Sequence, residues 1–252
     1  MTFRPFLSPP FWEPFGGLAL QFPTEIPGLM FYSDASYITG LNDGDSVTTW
    51  NDLSGNGNHA TQATASQKPI YKVNIINGKP VVRLDSVDDN LIVTNGAALF
   101  RNKPGATVFA VVLFNALTAT RRYFQAETNA PGSVRVGGAA LPQYRILDAD
   151  AVTNVILPAL STATFYVLSF VVDALNAQGT SYRNGTAGTT VNGGTAGNFS
   201  DTAGINTRIG VASTLTLNGD IAALAAYDRA LTAAERVRVE RYLGSRYNIT
   251  VL

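Results

Sequence analysis

From Leu29 onward, short apolar segments alternate with polar clusters in which glycine sits beside asparagine, aspartate or proline. The turn pairs are Asn42-Asp43-Gly44, Gly55-Asn56-Gly57, Asn77-Gly78, Asn95-Gly96, Pro131-Gly132, Asn184-Gly185, Asn192-Gly193-Gly194 and Asn218-Gly219. Asparagine and glycine tolerate the positive φ of tight turns, so these pairs mark reversals of the chain. Two segments, ATVFAVVLF (106–114) and TFYVLSFVV (164–172), are almost continuously apolar and rich in β-branched and aromatic residues. They are too short for core helices and suit central strands buried on one or both faces. Shorter strands are predicted at 29–33, 46–50, 80–84, 90–93, 121–126, 133–136, 152–157, 179–183, 205–211 and 219–227. Short strands at this spacing predict an all-β fold, an antiparallel two-sheet sandwich.

One helix breaks the pattern. Thr232-Ala-Ala-Glu235 reads as a capping box, in which Thr232 accepts from the amide of Glu235 while Glu235 bonds back. Over 233–246 the spacing places Val239, Tyr242, Leu243 and Tyr247 on one stripe, with Arg236, Arg238 and Glu240 largely outside it. A single short C-terminal α-helix laid against a sandwich is the expected arrangement.

Residues 1–27 differ from the rest. Pro5, Pro9, Pro10, Pro14, Pro23 and Pro27 predict an extended segment without regular structure. Solvated linkers are polar or charged, yet this one carries Phe3, Phe6, Phe11, Trp12, Phe15 and Phe22. Those rings are expected to fold back over the domain or to bury against another protein chain. The expected division is an extended N-terminal arm over 1–27 and one domain over 28–252.

Composition narrows the function. The chain has 252 residues and zero formal net charge, and its 18 Lys and Arg residues form no run beyond Arg121-Arg122. The length fits one large sandwich, and the lack of a basic run argues against a nucleic-acid partner. With no cysteine, thiolate metal sites and thiol redox chemistry are excluded. Prolines interrupt every early apolar run before a signal-peptide core of about 7–15 residues can form. No stretch reaches the roughly 20 apolar residues that span a bilayer. The expectation is a soluble protein with neither signal peptide nor transmembrane segment.

Three blocks carry a resemblance: WNDLSGNGNHATQ (50–62), NGKPVVRLDSVDDNLIV (77–93) and NGDIAALAAYDRALTAAERVRVERYLGSRYNI (218–249). In this order they resemble the concanavalin A-like jelly rolls of the laminin-G type, in the bacterial and phage branch that ends with a short capped helix. The resemblance implies a jelly-roll sandwich. It leaves function open, because the fold serves lectins, adhesion modules, glycosidases and structural proteins alike. The family often has an acidic residue where this chain has Ala223, so a polar site at that strand end is not expected.

The residues argue against catalysis. Sugar-cleaving jelly rolls aim paired carboxylates from one strand face. The glutamates here are Glu13, Glu25, Glu127, Glu235 and Glu240, and none has an acidic residue two positions away. Asp148 and Asp150 have that spacing but sit among loop residues. His59 is the only histidine, and no Gly-x-Ser-x-Gly elbow accompanies it. Calcium is the one metal the resemblance implies, with Asp85, Asp88, Asp89 and Asn90, or Asp52 with Asn56, as candidate ligands. Sugar binding without catalysis needs exposed aromatics, for which Tyr71, Tyr123, Tyr144 and Tyr182 are candidates.

The expected function is a non-enzymatic structural protein of a larger assembly, a phage virion component such as a capsid cement or decoration protein or a tail or fibre protein. The arm anchors it to other virion proteins, and the sandwich forms a homo-oligomer, with a trimer among the options. The alternative is a carbohydrate-binding or adhesion module recognising surface glycans. No cofactor is expected apart from a structural calcium. Within WNDLSGNGNHAT, Trp50 is expected to close a strand, Asp52 and Ser54 to shape a turn, and His59 to enter the next strand.

Overall fold

The structure, a computed structural model, describes residues 23–96, 99–117, 121–125, 133–138, 143–147, 152–156, 159–192, 196–199, 207–210 and 217–252. Phe3, Phe6, Phe11, Trp12, Phe15, Phe22, Asp148 and Asp150 lie outside the described residues. In chain order the strands are β1 (Leu29–Asp34), β2 (Thr49–Trp50), β3 (Ala60–Thr61), β4 (Ile70–Ile76), β5 (Lys79–Asp85) and β6 (Asn90–Val93). There follow β7 (Gly105–Phe114), β8 (Arg121–Gln125), β9 (Ser133–Gly138), β10 (Gln143–Leu147), β11 (Val152–Ile156) and β12 (Phe165–Asp173). The last are β13 (Gln178–Arg183), β14 (Thr186–Ala187), β15 (Val191–Asn192), β16 (Arg208–Gly210) and β17 (Asn218–Tyr227), ahead of helix α1 (Ala233–Tyr247).

These strands form two antiparallel sheets. The back sheet runs β14-β13-β12-β7-β17-β5-β4, with β1 on β17 and β15 on β13; the front sheet runs β11-β10-β9-β8-β16-β6-β3-β2. Between the sheets pack Trp50, Phe31, Val82, Leu84, Leu91, Phe114, Phe124, Phe170 and Ile209, among others. A second apolar layer lies on the other side of the back sheet, where Phe109, Val111, Val167, Ala225 and Tyr227 meet Val239, Leu243 and Tyr247 of α1. This double burial explains the continuous apolar run of β7. Ala106, Val108, Ala110, Val112 and Phe114 face the inter-sheet core, while Phe109 and Val111 lie under the helix. Each large side chain buried in this way contributes about 1.5–3 kcal/mol of transfer free energy.

Strand β17 serves two neighbours along one edge. Asn218–Ile221 pair with β5, and Ala223–Tyr227 lie beside β1. A register shift between Ile221 and Ala223 separates the two halves. The shift also resets the alternation. Ile221 and Leu224 face the inter-sheet core, but Tyr227 faces the helix. Its hydroxyl donates to the Pro23 carbonyl at 2.8 Å, and Arg229 Nε donates to the Pro27 carbonyl at 3.0 Å. Pro23 and Ile26, within the segment expected as the arm, are thus packed onto the domain.

The capping box is present. The Glu235 amide donates to Thr232 Oγ1 at 3.3 Å, and the Thr232 amide donates to Glu235 Oε2 at 2.9 Å. Arg229 grips the same carboxylate with two nitrogens, at 3.0 and 2.7 Å, and this pairing pulls the Glu235 pKa down to about 2. The helix face is wider than the sequence stripe. Glu240 and Arg236, expected largely outside it, are buried at 0% and 7% exposure. The reason lies in the sheet beneath. Ser169 of β12 donates to Glu240, Arg236 pairs with the same carboxylate, and the Arg236 guanidinium lies 3.6 Å from the centre of the Tyr182 ring. Burial nonetheless pushes the Glu240 carboxyl up from its ordinary value, against the pull of Ser169 and Arg236.

Besides the two-residue strands β3, β14 and β15, two longer strands escaped the sequence pattern. In β4, Asn74 has φ of 56° and the register shifts between Lys72 and Ile76, so period-two alternation is lost. In β10, QYRIL follows Pro142 and is too short to show a period. The expected strand at 46–50 shrinks to β2, with Ser46 making only an isolated bridge to Ile70. Among the described residues no helix is long and apolar enough to cross a membrane.

Candidate functional site

The loop from Trp50 to Thr61 gathers the chain's histidine with serine and aspartate, a set that nucleophilic enzymes use. Its geometry is structural instead. Asp52 Oδ1 accepts from the amides of Tyr32 (3.0 Å) and Ser54 (2.9 Å), while Oδ2 accepts from the Asn58 amide (2.9 Å) and Ser54 Oγ (2.8 Å). The carboxylate therefore binds the loop to β1. Asn58 and Asn56 complete the attachment by donating to the carbonyls of Met30 and Leu29, both at 2.8 Å. His59 is exposed, and its Nδ1 accepts from the Asp52 backbone amide at 3.1 Å. A triad needs the carboxylate on the histidine and the histidine on the serine, and here the carboxylate holds the serine directly. Trp50 is buried in the inter-sheet core.

The β5–β6 turn holds a second cluster. Carboxylate oxygens of Asp85, Asp88 and Asp89 lie within 4.8 Å of one another. The turn is shaped by Ser86 at φ 71° and by the Asp85 amide donating to Asp89 Oδ2 at 3.0 Å. Burial, with the charge of Asp85 second, pushes the Asp89 pKa up to about 7. Asn90 stands apart from this trio. Its Nδ2 donates to the Asp88 carbonyl at 2.9 Å, and its Oδ1 accepts from Arg208 Nη1 at 3.4 Å.

The third feature is the outer face of the front sheet. Ala60, Leu91, Val93, Phe124 and Ile209 point into the core, so strand alternation turns Thr61, Asn90, Ile92, Gln125 and Arg208 outward. Register aligns Thr61, Ile92, Arg208 and Gln125 in one row across β3, β6, β16 and β8. A polar network covers this row. Arg122 Nη1 donates to Gln125 Oε1 at 2.9 Å, and Gln62 Nε2 donates to the Asn90 carbonyl at 3.1 Å. Arg208 Nε is shielded from solvent and has no hydrogen-bond partner. The outer face of the back sheet is covered by α1, which among the described residues leaves the front sheet as the broad face without a helix.

The tyrosines considered for sugar stacking do not form a platform. Tyr71 and Tyr123 are buried in the inter-sheet core, and Tyr182 lies against Arg236 under the helix. Tyr144 is on β10, the strand between β9 and β11. The residues that do share a face, Arg122, Gln125 and Arg208, were not singled out from the sequence. Their signal was the arginines in RRYFQ and RIG, segments without a carboxylate.

The architecture defines a class: an antiparallel two-sheet β-sandwich whose back sheet carries one helix. No family model matches the sequence, and no curated protein matches it. Among solved structures, the chain is similar to the binding domain of Paraclostridial Mosquitocidal Protein 1, at 17% identity and TM-score 0.60, covering 90% of this chain and 54% of that one. It therefore spans about half the length of that domain. It is similar to domain 4 of AbnA, a GH43 extracellular arabinanase from Geobacillus stearothermophilus in complex with arabinotriose, at 16% identity and TM-score 0.60, covering 85% of this chain and 97% of that one. It is also similar to the CBM40 of the Ruminococcus gnavus IT-sialidase bound to α2,3-sialyllactose, at 14% identity and TM-score 0.51, covering 62% of this chain and 93% of that one. At these identities the likeness shows the fold.

Proposed function

We propose that this chain is a non-catalytic glycan-binding module whose binding surface is the outer face of the front sheet. The observation that carries the reading is a face, opposite a back sheet occupied by α1, on which half-buried Arg122 and Arg208 lie over the buried amides of Gln62, Asn90 and Gln125. The similarity to a whole arabinanase domain seen with arabinotriose, and to a carbohydrate-binding module seen with sialyllactose, supports it. The front-sheet strands contain no aspartate or glutamate, so they hold no carboxylate pair for glycosidic cleavage. A glycan array probed with the full chain is expected to return specific binding without hydrolysis. Cleavage of a bound glycan, or the absence of binding across the array, contradicts the reading. The arm-anchored virion component becomes the weaker of the two readings, because the neighbours seen with ligands hold sugars.

We also propose Asp85, Asp88 and Asp89 as the place for a structural calcium. Their all-oxygen donor set suits a hard cation, and the spacing of their carboxylates fits one ion. Asn90 is engaged by the Asp88 carbonyl and by Arg208, so it contributes nothing to that set. A rise in unfolding temperature on adding calcium above pH 7, lost in Asp85→Asn, supports the site; no rise contradicts it.

A further inference from the structure

The charge of this neutral chain is sorted between its sheets. The back-sheet strands carry Asp34, Asp85, Asp173 and Asp220 against Lys72, Lys79, Arg83 and Arg183, an even balance. The front-sheet strands carry Arg121, Arg122, Arg135, Arg145 and Arg208 and no acidic residue. Register then concentrates three of these. Arg208 pairs with Gln125, Gln125 with Arg135, Arg135 with Arg145, and Arg145 with Asn154, a single row across β16, β8, β9, β10 and β11.

From this row we infer that the module's ligand is an anionic glycan, one bearing carboxylate or sulfate groups, bound along the arginines of the front sheet. The inference rests on the glycan-binding reading and deepens it. Arginine presents a planar fork that meets carboxylate and sulfate oxygens with two parallel hydrogen bonds. At Arg208 the Nε is shielded and without an acceptor, while Nη1 reaches Asn90 only at 3.4 Å. An anion on this face supplies a counter-charge that the front-sheet strands themselves do not carry. A glycan is favoured over nucleic acid because the chain's overall charge is zero. Nucleic-acid binders carry a strong net basic footprint.

The test is a binding panel of matched pairs at fixed ionic strength. Oligogalacturonate is compared with its methyl ester, and sialylated and sulfated oligosaccharides with their neutral parents; a DNA duplex is included. The expected result is at least ten-fold tighter binding of the charged member of a pair, weakening as salt is raised. Arg208→Gln and, independently, Arg145→Gln should each lower that affinity ten-fold or more, with unchanged unfolding temperature for at least the Arg145 variant. Equal binding of charged and neutral partners overturns the inference and leaves the glycan-binding reading standing. No binding to any glycan overturns both. Tighter binding of the duplex than of every acidic glycan overturns the inference in favour of a nucleic-acid ligand.

Discussion

At the scale of single residues, the cluster that looks most like chemistry is a joint. Asp52 receives three backbone amides and one hydroxyl, and through them holds the Trp50–Thr61 loop to β1. Hydrogen bonds to a charged group contribute about 1.5–3 kcal/mol each, and buried donors left unpaired carry their desolvation cost. Asp52→Ala should therefore destabilise the fold by roughly 3 kcal/mol, read as a shift in denaturation midpoint. Asp52→Asn should recover little of it, because its amide nitrogen faces donors. Asp89 makes a pH prediction of a definite sign. Its pKa rises from 3.8 to about 7 on folding, so the contribution of its neutral form is complete below pH 4 and fades as pH climbs through about 7. Stability should fall across that window, and Asp89→Asn should flatten the fall in a series of melts without calcium. A fall of equal size in the variant contradicts the assignment to Asp89.

At the scale of elements, what could be read from sequence depended on whether the cause was local. Asn77, Asn95 and Asn184 were marked as turns by the residue after them, and all three have positive φ, at 48°, 54° and 49°. The capping box of α1 was readable because both partners lie within one turn of helix. Burial of Glu240 was not, since its partner Ser169 lies 71 residues away on β12 and is brought under the helix only by the fold. Breaking a buried ion pair leaves an uncompensated charge at a cost of about 3–5 kcal/mol. Glu240→Ala should lose about that much, whereas Arg236→Met with Glu240→Leu, which removes both charges, should lose less. If the double variant is the less stable of the two, the pair is not the reason for burial at this face.

At the scale of the whole molecule, the two-layer sandwich with its terminal helix was written in the turn pairs and in the doubly apolar β7 and β12. The candidate site was not. Arg145 and Arg208 are far apart along the chain, and only the pairing of β10, β9, β8 and β16 sets them in one row. Alternation says which side of a strand a residue takes, but it says nothing about which strands become neighbours. On the proposed function the faces divide labour: α1 and its buried ion pair close the back sheet, and the front sheet takes the ligand. Hydrogen exchange of the full chain, with and without a glycan selected on the array, tests this division most directly. Slowed exchange confined to β6, β8, β16 and their front-sheet neighbours is the predicted result. Slowed exchange confined to α1, or to the Trp50–Thr61 loop, with the front sheet unchanged, would contradict it.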